Sequence, residues 1–172
     1  MLTYTICFVR VRHYLLLLHR AKEPHKGLLN GVGGKIKPGE TPYQCICREV
    51  EEETGIRPHA GSLRFAGIVT WNAGADVDPQ STGMYAYVVR LPNDTLMQTY
   101  ARGTREGRLD WYDLSWACRP TNTEVVNNIQ FYLPDMLGGT PPVQWALTYN
   151  SGFLSHIIRR PLPAALPAGV TG

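Results

Sequence analysis

Two apolar runs near the start of the chain predict a β-hairpin. Residues 3–11, "TYTICFVRV", and residues 14–19, "YLLLLH", are rich in β-branched, aromatic and aliphatic side chains. Only Arg12 and His13 separate the two runs. Short runs of this composition favour strands, and a two-residue separation is typical of a tight turn between antiparallel neighbours.

Strand-like runs recur in the middle and at the end of the chain. They cover residues 62–71, 84–91, 108–113, 143–149 and 152–158. The last two are joined through Asn150-Ser151-Gly152, which is a hairpin signal because Asn and Gly tolerate the backbone conformations of tight turns. A long segment rich in Gly and Pro follows the first hairpin and predicts an ordered loop.

A helix is predicted directly after that loop. Thr41 is a favourable N-cap, and Pro42 suits the first helical position because its missing N–H would have no partner there. The helix is expected to run to about Thr54, where Gly55 stands in the usual place for a C-terminal stop.

A second helix is predicted over residues 122–137, where Pro134 is expected to end or kink it. A mixed sheet with two helices is an α/β layered fold, so we predict a single domain over residues 1–160. Residues 161–172 contain Pro and Gly but little that packs, and they are expected to form a flexible tail.

Composition and charge narrow the classes of function. The chain has 172 residues, of which 44% are apolar and 18% charged, and its net charge is +3. Such a composition is that of a globular protein. So small a charge, without a block of Lys or Arg, argues against partners such as a nucleic-acid duplex or a membrane surface. The oligomeric state stays open.

The N-terminus and the cysteines indicate a cytoplasmic location. The longest apolar run near the N-terminus, "YLLLL", is too short for a signal peptide, and charges interrupt it on both sides. The four cysteines form no C-x-x-C pair, which argues against a zinc site. We therefore expect reduced thiols in a cytosolic protein.

The stretch "REVEEETGI", residues 48–56, carries the most concentrated charge in the chain. On a helix, Glu49, Glu52 and Glu53 share one face, whereas Glu51 points away from it. Such a run is often only the solvated face of a helix. The alternative is that three carboxylates, which repel one another, hold a divalent cation; oxygen ligands suit Mg²⁺ or Mn²⁺ rather than zinc.

The glycine-rich segment "NGVGGKIKPGE" leads towards these glutamates. Backbone groups of glycines approach an anion or a metal without a Cβ in the way. The spacing of a P-loop is absent. Plain turns also use glycine, but beside an acidic helix this segment indicates a metal–diphosphate site.

Residues 34–56, "GKIKPGETPYQCICREVEEETGI", resemble the Nudix box, G-x₅-E-x₇-R-E-U-x-E-E-x-G-U, where U is aliphatic. Every fixed position is matched, by Gly34, Glu40, Arg48, Glu49, Val50, Glu52, Glu53, Gly55 and Ile56. The resemblance implies an α/β/α sandwich around a mixed sheet. It also implies hydrolysis of a nucleoside diphosphate linked to a further moiety, with Mg²⁺ or Mn²⁺ as the cofactor.

The resemblance also implies roles for particular residues. Glu49, Glu52 and Glu53 are expected to bind the metal, together with the carbonyl of Gly33 or Gly34. Glu52 and Glu53 are also candidate catalytic residues. Arg48, a further catalytic candidate, is expected chiefly to join loop and helix together with Glu40.

A further acidic residue is expected from outside the box. Glu106 lies in "TREGRLDWYDL", which resembles the corresponding segment of MutT-type members. It is a candidate metal ligand or general base, and the alternative is a plain turn carboxylate.

Substrate contacts are suggested by a second resemblance. "LLNGVGGK" is similar to "WNGFGGK" of the MutT-related 8-oxo-dGTP diphosphatases, so Asn30 is expected to contact a base, with Gly33 and Lys35 beside it. Leu29 stands where that branch commonly has Trp. Asn128 is a candidate base contact, although Asn127 and Asn128 replace an acidic pair there.

The leading hypothesis is a Mg²⁺-dependent nucleoside triphosphate pyrophosphohydrolase of MutT type that acts on oxidised purine nucleotides such as 8-oxo-dGTP. The alternatives are hydrolysis of ADP-ribose, a dinucleotide or another nucleoside-diphosphate conjugate, and a non-catalytic module that senses a nucleotide. Trp71 and Tyr85 are candidates to sandwich the base, although aromatic residues on strands more often belong to the core.

Overall fold

A computed structural model describes residues 1–59, 61–72 and 82–171 of the chain. Its strands are β1 (Tyr4–Val11), β2 (Tyr14–Arg20), β3 (Leu29–Asn30), β4 (Leu63–Trp71), β5 (Gly83–Arg90), β6 (Arg102–Gly103), β7 (Gly107–Asp113), β8 (Val143–Asn150) and β9 (Phe153–Arg160). Its helices are α1 (Pro42–Thr54), α2 (Leu114–Ala117) and α3 (Ile129–Gly138). The seven predicted strands are all present, and β3, β6 and the single turn α2 are additions.

Within the described residues, the nine strands form one mixed sheet. The strand order is β6-β7-β2-β1-β5-β4-β8-β9, and β3 pairs with β2. β1 is parallel to β5 and β4 is parallel to β8, whereas the β1–β2 and β8–β9 hairpins are antiparallel as predicted. The glycine-rich loop lies beside β1, because Lys35 forms an isolated bridge with Tyr4 and Val32 forms one with Cys7.

The two long helices cover opposite faces of the sheet. Side chains of a strand alternate between faces. In β1, Phe8 therefore packs on the same side as Leu133 of α3, whereas Val9 packs on the same side as Val50 of α1. The predicted α/β/α sandwich with a mixed sheet is confirmed, with an apolar core on each side of the sheet.

Helix α1 begins and ends where its sequence predicts. The Thr41 hydroxyl accepts a hydrogen bond from the Gln44 N–H at 3.2 Å, and the Gln44 side chain accepts one from the Thr41 N–H at 2.9 Å. This reciprocal pair satisfies N–H groups that have no partner inside the helix. At the other end Gly55 adopts the left-handed conformation, with φ 77°, and its N–H donates to the Glu51 carbonyl at 2.9 Å.

The second predicted helix, α3, begins at Ile129 instead of residue 122 and ends at Gly138 instead of residue 137. Residues 122–128 are not helical, because the backbone there pairs with Leu29: the Leu29 N–H donates to the Glu124 carbonyl at 2.8 Å, and the Val126 N–H donates to the Leu29 carbonyl at 3.0 Å. Pro134 does not end α3, which continues to Gly138.

The C-terminal segment packs more than its sequence suggested. Leu162 and Leu166 lie against the apolar core on the α1 side, and Val170 is buried there. The Tyr87 hydroxyl donates to the Val170 carbonyl at 2.8 Å, and the Tyr43 N–H of α1 donates to the Gly169 carbonyl at 3.0 Å. The expectation that residues 161–171 have little to pack against is therefore wrong.

Two further features concern the length of the helices and the state of the cysteines. In the described part of the chain, none of the helices is long and apolar enough to cross a membrane. All four cysteines are free thiols, as expected.

Candidate catalytic site

Helix α1 presents its glutamates to a cavity of about 1050 Å³, which we call the acidic cavity. Its lining includes four carboxylates and three guanidinium groups among the described residues, namely Glu49, Glu52, Glu53, Glu106, Arg20, Arg102 and Arg105. The three helical carboxylates share this side of α1 because they are spaced by three and four residues. Glu51 instead pairs with Arg57 at the surface, at 2.6 Å.

Glu53 is the most buried of these carboxylates, with 8% of the residue exposed. The Gly33 N–H donates to its Oε2 at 3.1 Å. Burial, together with the smaller effects of the neighbouring charges of Glu49 and Glu106, raises the pKa of the Glu53 carboxyl to about 7 against the opposing effect of the Gly33 hydrogen bond. A cation in the cavity would favour the charged form of this group.

Arg48 ties the glycine-rich loop to α1. Its Nε and Nη2 donate to the two oxygens of Glu40 at 2.8 and 3.0 Å, and its Nη1 donates to Glu49 at 2.7 Å and to Glu52 at 3.3 Å. The paired bonds from Arg48 hold the pKa of the Glu40 carboxyl at about 2. Arg48 does not line the acidic cavity, so its contacts are those of a residue that orients the candidate ligand carboxylates.

Gly33 and Gly34 lie beside the glutamates of α1. A Cβ on Gly33 would overlap the Thr5 carbonyl, and its φ of 151° lies in a region that favours glycine. A Cβ on Gly34 would overlap the Glu49 carboxylate. The backbone contact makes glycine a requirement at position 33, whereas at position 34 a Cβ would displace the Glu49 carboxylate from its present place. The Gly34 carbonyl accepts a hydrogen bond from the Thr5 N–H at 2.9 Å.

Glu106 reaches the acidic cavity from the turn between β6 and β7. The Thr104 hydroxyl accepts the Glu106 N–H at 3.2 Å, and the Ala21 N–H donates to the Glu106 carbonyl at 2.8 Å. The Lys22 ammonium pairs with the Glu106 carboxylate at 2.7 Å. The structure thus brings Glu106 to the box glutamates although about 50 residues separate them in sequence.

The carboxylate oxygens that line the cavity, one of them on a buried glutamate, suit a hard divalent cation. Among the residues that the structure describes, however, no group of three or more acidic, His or Cys side chains is already arranged to hold a metal ion. Glu49 is engaged by Arg48, Glu53 by Gly33 and Glu106 by Lys22. Each of these contacts uses one oxygen of its carboxylate, so acceptor positions remain that a cation can use.

A second cavity of about 700 Å³, the apolar cleft, adjoins the acidic cavity. Its lining includes Ile6, Asn30, Trp71 and Met84. The Oδ1 of Asn30 accepts the Gly31 N–H at 2.8 Å, so the amide nitrogen is the Asn30 group that remains to donate to a bound molecule. The lining combines these apolar side chains with polar ones such as Asn30 and Asn72, a combination typical of sites for small organic ligands.

The two cavities share Arg20, Gly33 and Gly34. The Arg20 Nε donates to the Pro24 carbonyl at 2.7 Å, which fixes the side chain beside the loop. A molecule that occupies both cavities would therefore pass a guanidinium group and a glycine-rich backbone at their boundary. Sequence reasoning did not find Arg20, Arg102 or Arg105, because no local motif marks them.

Three residues predicted to contact substrate lie elsewhere. Asn128 is buried, donates to the Tyr149 hydroxyl and accepts from the Tyr132 hydroxyl, both at 3.0 Å, and it lines neither cavity. Lys35 lines neither cavity, and its carbonyl accepts from Arg48 at 3.5 Å. Tyr85 is only 2% exposed and packs in the core on the α1 side, so it cannot sandwich a base with Trp71.

Fold and site together define an α/β/α protein in which a carboxylate-lined cavity meets the apolar cleft. The family model described as "NUDIX domain" matches residues 2–132, and the chain belongs to this family.

Curated relatives and solved structures agree with this assignment. The chain is 44% identical to the 8-oxo-dGTP diphosphatase of Escherichia coli over 50 residues, which are 28% of this chain and 39% of that protein. It is 41% identical to the ADP-ribose pyrophosphatase of Methanocaldococcus jannaschii over 49 residues, 28% of this chain and 29% of that protein. The MutT protein structure from Bacillus halodurans has the same fold, with TM-score 0.70, 20% identity, and coverage of 93% and 98% of the two chains.

Proposed function

We propose that the protein is a Mg²⁺-dependent nucleoside triphosphate pyrophosphohydrolase, with Mn²⁺ as an alternative cation. Water and a nucleoside triphosphate would give a nucleoside monophosphate and pyrophosphate. Oxidised purine nucleotides such as 8-oxo-dGTP are the proposed substrates. The observation that carries the proposal is the meeting of the acidic cavity and the apolar cleft at Arg20, Gly33 and Gly34.

Glu49, Glu52, Glu53 and Glu106 are the proposed cation ligands, together with the carbonyl of Gly33 or Gly34. A bound divalent cation neutralises phosphate oxygens and makes a bound water more acidic. Lys22 pairs with Glu106 and Arg48 pairs with Glu49, and these cationic partners offset the repulsion among the carboxylates in the absence of a metal cation.

The chain's own groups would position the nucleotide. The Arg20 guanidinium binds phosphate oxygens at the boundary of the two cavities, where opposite charge and donor geometry match. Asn30 donates its amide to the base, and the Trp71 ring covers it within the apolar cleft. A carboxylate among Glu52, Glu53 and Glu106 accepts a proton from the attacking water. The bridge between the α- and β-phosphates breaks, and pyrophosphate leaves.

Four observations bear on the substrate and the location. Asn30 in the cleft and the likeness to an 8-oxo-dGTP diphosphatase favour a purine nucleotide. The likeness to an ADP-ribose pyrophosphatase supports the second candidate, hydrolysis of a nucleoside diphosphate linked to a sugar. Free thiols at all four cysteines suit the cytoplasm, which we propose as the location.

The test is a product assay with the purified chain, Mg²⁺ and a panel of dGTP, 8-oxo-dGTP, dATP, ADP-ribose and NADH. We expect monophosphate and pyrophosphate from 8-oxo-dGTP, at a higher kcat/KM than from dGTP. Cleavage of ADP-ribose alone would favour the second candidate, and nucleotide binding without turnover would favour a sensor module.

A matched pair of variants ties the activity to the acidic cavity. Glu52→Gln removes a carboxylate that lines the cavity, whereas Glu51→Gln removes one that pairs with Arg57 at the surface. Turnover is expected to fall by about 10²-fold or more in the first variant, because transition-state charge stabilisation is lost, and to stay near wild type in the second. Equal activities would remove the acidic cavity from the mechanism.

A further inference from the structure

Part of the acidic cavity lies away from the apolar cleft, beside the β6–β7 turn. Arg102 and Arg105 line the acidic cavity and not the cleft, whereas Arg20 lines both. A ligand whose organic end lies in the cleft and whose diphosphate passes Arg20 therefore meets the β6–β7 segment with whatever follows the diphosphate. Arg102 and Arg105 are the cationic side chains that such a ligand meets on this segment.

Arg102 is held in place by α1. Its Nη2 donates to the Glu53 carbonyl at 3.3 Å, and its guanidinium lies against the end of the helix at Gly55. The carbonyl end of a helix carries partial negative charge, which stabilises a cation there. Because only one donor of the guanidinium is used in this contact, the fixed side chain retains further donors for a bound anion.

Arg105 differs from the neighbouring Arg108. The Arg108 guanidinium pairs with Asp110 at 3.1 Å and lines neither cavity. Arg105 lines the acidic cavity, is exposed, and has no hydrogen bond or ion pair to another side chain in the described part of the chain. Its charge is therefore not neutralised by a protein carboxylate.

We propose that Arg102 and Arg105 form a subsite for the terminal phosphate of a nucleoside triphosphate. This inference rests on the proposed function, and it explains how the site selects triphosphates. A phosphate at this position gains both hydrogen bonds and charge pairing with two guanidinium groups, whereas the uncharged sugar of a nucleoside diphosphate conjugate has no charge to pair with them. The two arginines thus favour triphosphates over conjugates that share the same diphosphate.

The test compares the binding of two inorganic anions in the presence of Mg²⁺. Dissociation constants of tripolyphosphate and pyrophosphate are measured by calorimetry for wild type, Arg105→Gln, Arg102→Gln and the control Arg108→Gln. We expect wild type to bind tripolyphosphate about tenfold or more tightly than pyrophosphate, because a hydrogen bond to a charged group contributes on that scale. Arg105→Gln is expected to lose most of this preference, and Arg108→Gln to keep it.

Kinetics then link the subsite to substrate choice. In the Arg105→Gln enzyme, KM for a nucleoside triphosphate is expected to rise about tenfold, while KM for the matching diphosphate stays within about twofold. A loss that is equal for both substrates, or equal binding of both inorganic anions by wild type, would overturn the subsite. If wild type cleaves ADP-ribose and no triphosphate, the proposed function fails, whereas the tripolyphosphate measurement still decides the subsite.

Discussion

The environment of Glu53 shows how burial of one carboxyl couples stability to pH. In the folded protein its pKa is about 7, above the ordinary value of 4.5. Between these pH values the folded chain retains a proton that the unfolded chain has released. Stability of the cation-free protein therefore falls as pH rises from about 4.5 to about 7, because the unfolded state binds fewer protons there.

Glu53→Gln is expected to stabilise the cation-free protein at pH 8. The Gln side chain keeps an oxygen for the Gly33 N–H and carries no charge to bury. The expected gain at pH 8 is about 1–3 kcal/mol, since one pKa unit corresponds to about 1.4 kcal/mol, and it should vanish near pH 4.5. Urea unfolding in EDTA at both pH values measures it, with Glu51→Gln as the control. A Gln variant that is no more stable than wild type at pH 8 would contradict the buried-carboxyl argument.

Arg48 supports the site through the planar geometry of its guanidinium. Arg48→Lys keeps the charge but replaces two parallel bonds to Glu40 with a single donor group. We expect unfolding free energy to fall by about 1–3 kcal/mol and turnover to fall with it. The control is Arg57→Lys, because the Arg57–Glu51 pair is exposed and such pairs contribute about 0–1 kcal/mol. Similar losses in both variants, measured by urea unfolding, would refute the holding role of Arg48.

At the scale of elements, local sequence signals predicted the bounds of α1. Contacts between distant parts of the chain determine the start of α3 and the position of Asn128, which the sequence did not reveal. The boundaries of α1 follow from Thr41, Pro42 and Gly55, whose effects act within one turn. The start of α3 depends instead on pairing with Leu29, about 100 residues earlier, which no local pattern reveals. Asn128 was misassigned for the same reason, because its partner Tyr149 comes from β8.

The C-terminal segment is an element whose packing can be tested directly. Val170 is buried against the α1 side of the sheet, whereas Ala165 is exposed. Val170→Asp places a carboxylate in an apolar site and is expected to lower the unfolding free energy by about 2–4 kcal/mol. Ala165→Asp, in the same segment, is expected to stay within about 0.5 kcal/mol of wild type. Equal thermal unfolding midpoints for the two variants would show that the segment does not pack against the sheet.

At the scale of the whole molecule, the candidate site assembles from parts that are distant in sequence. The box glutamates and the glycine loop were predictable because their motif is contiguous. Arg20, Arg102 and Glu106 come together only because β7 pairs with β2 and carries the β6–β7 turn to the end of α1. Their grouping is a property of sheet order, so sequence patterns identified Glu106 only through a resemblance and did not identify the arginines.

The division of the site into two cavities predicts that nucleoside binding and phosphate chemistry are energetically separable. Trp71→Ala should raise KM for a nucleoside triphosphate by about tenfold or more, since stacking on an aromatic ring contributes about 1–3 kcal/mol, and should leave pyrophosphate binding unchanged. The control is Trp71→Phe, which keeps an aromatic ring at this position and should therefore raise KM less than Trp71→Ala does.

Glu52→Gln should lower kcat with little effect on KM, because Glu52 lines the acidic cavity and not the cleft. The double variant Trp71→Ala, Glu52→Gln should then show effects on kcat/KM that add within about 0.5 kcal/mol, as expected for sites without shared contacts. Arg20→Gln, which alters the shared boundary, should instead couple to both changes. A coupling above about 1 kcal/mol between Trp71 and Glu52 would mean that the two cavities act as one site, since only direct or shared contacts produce terms of that size.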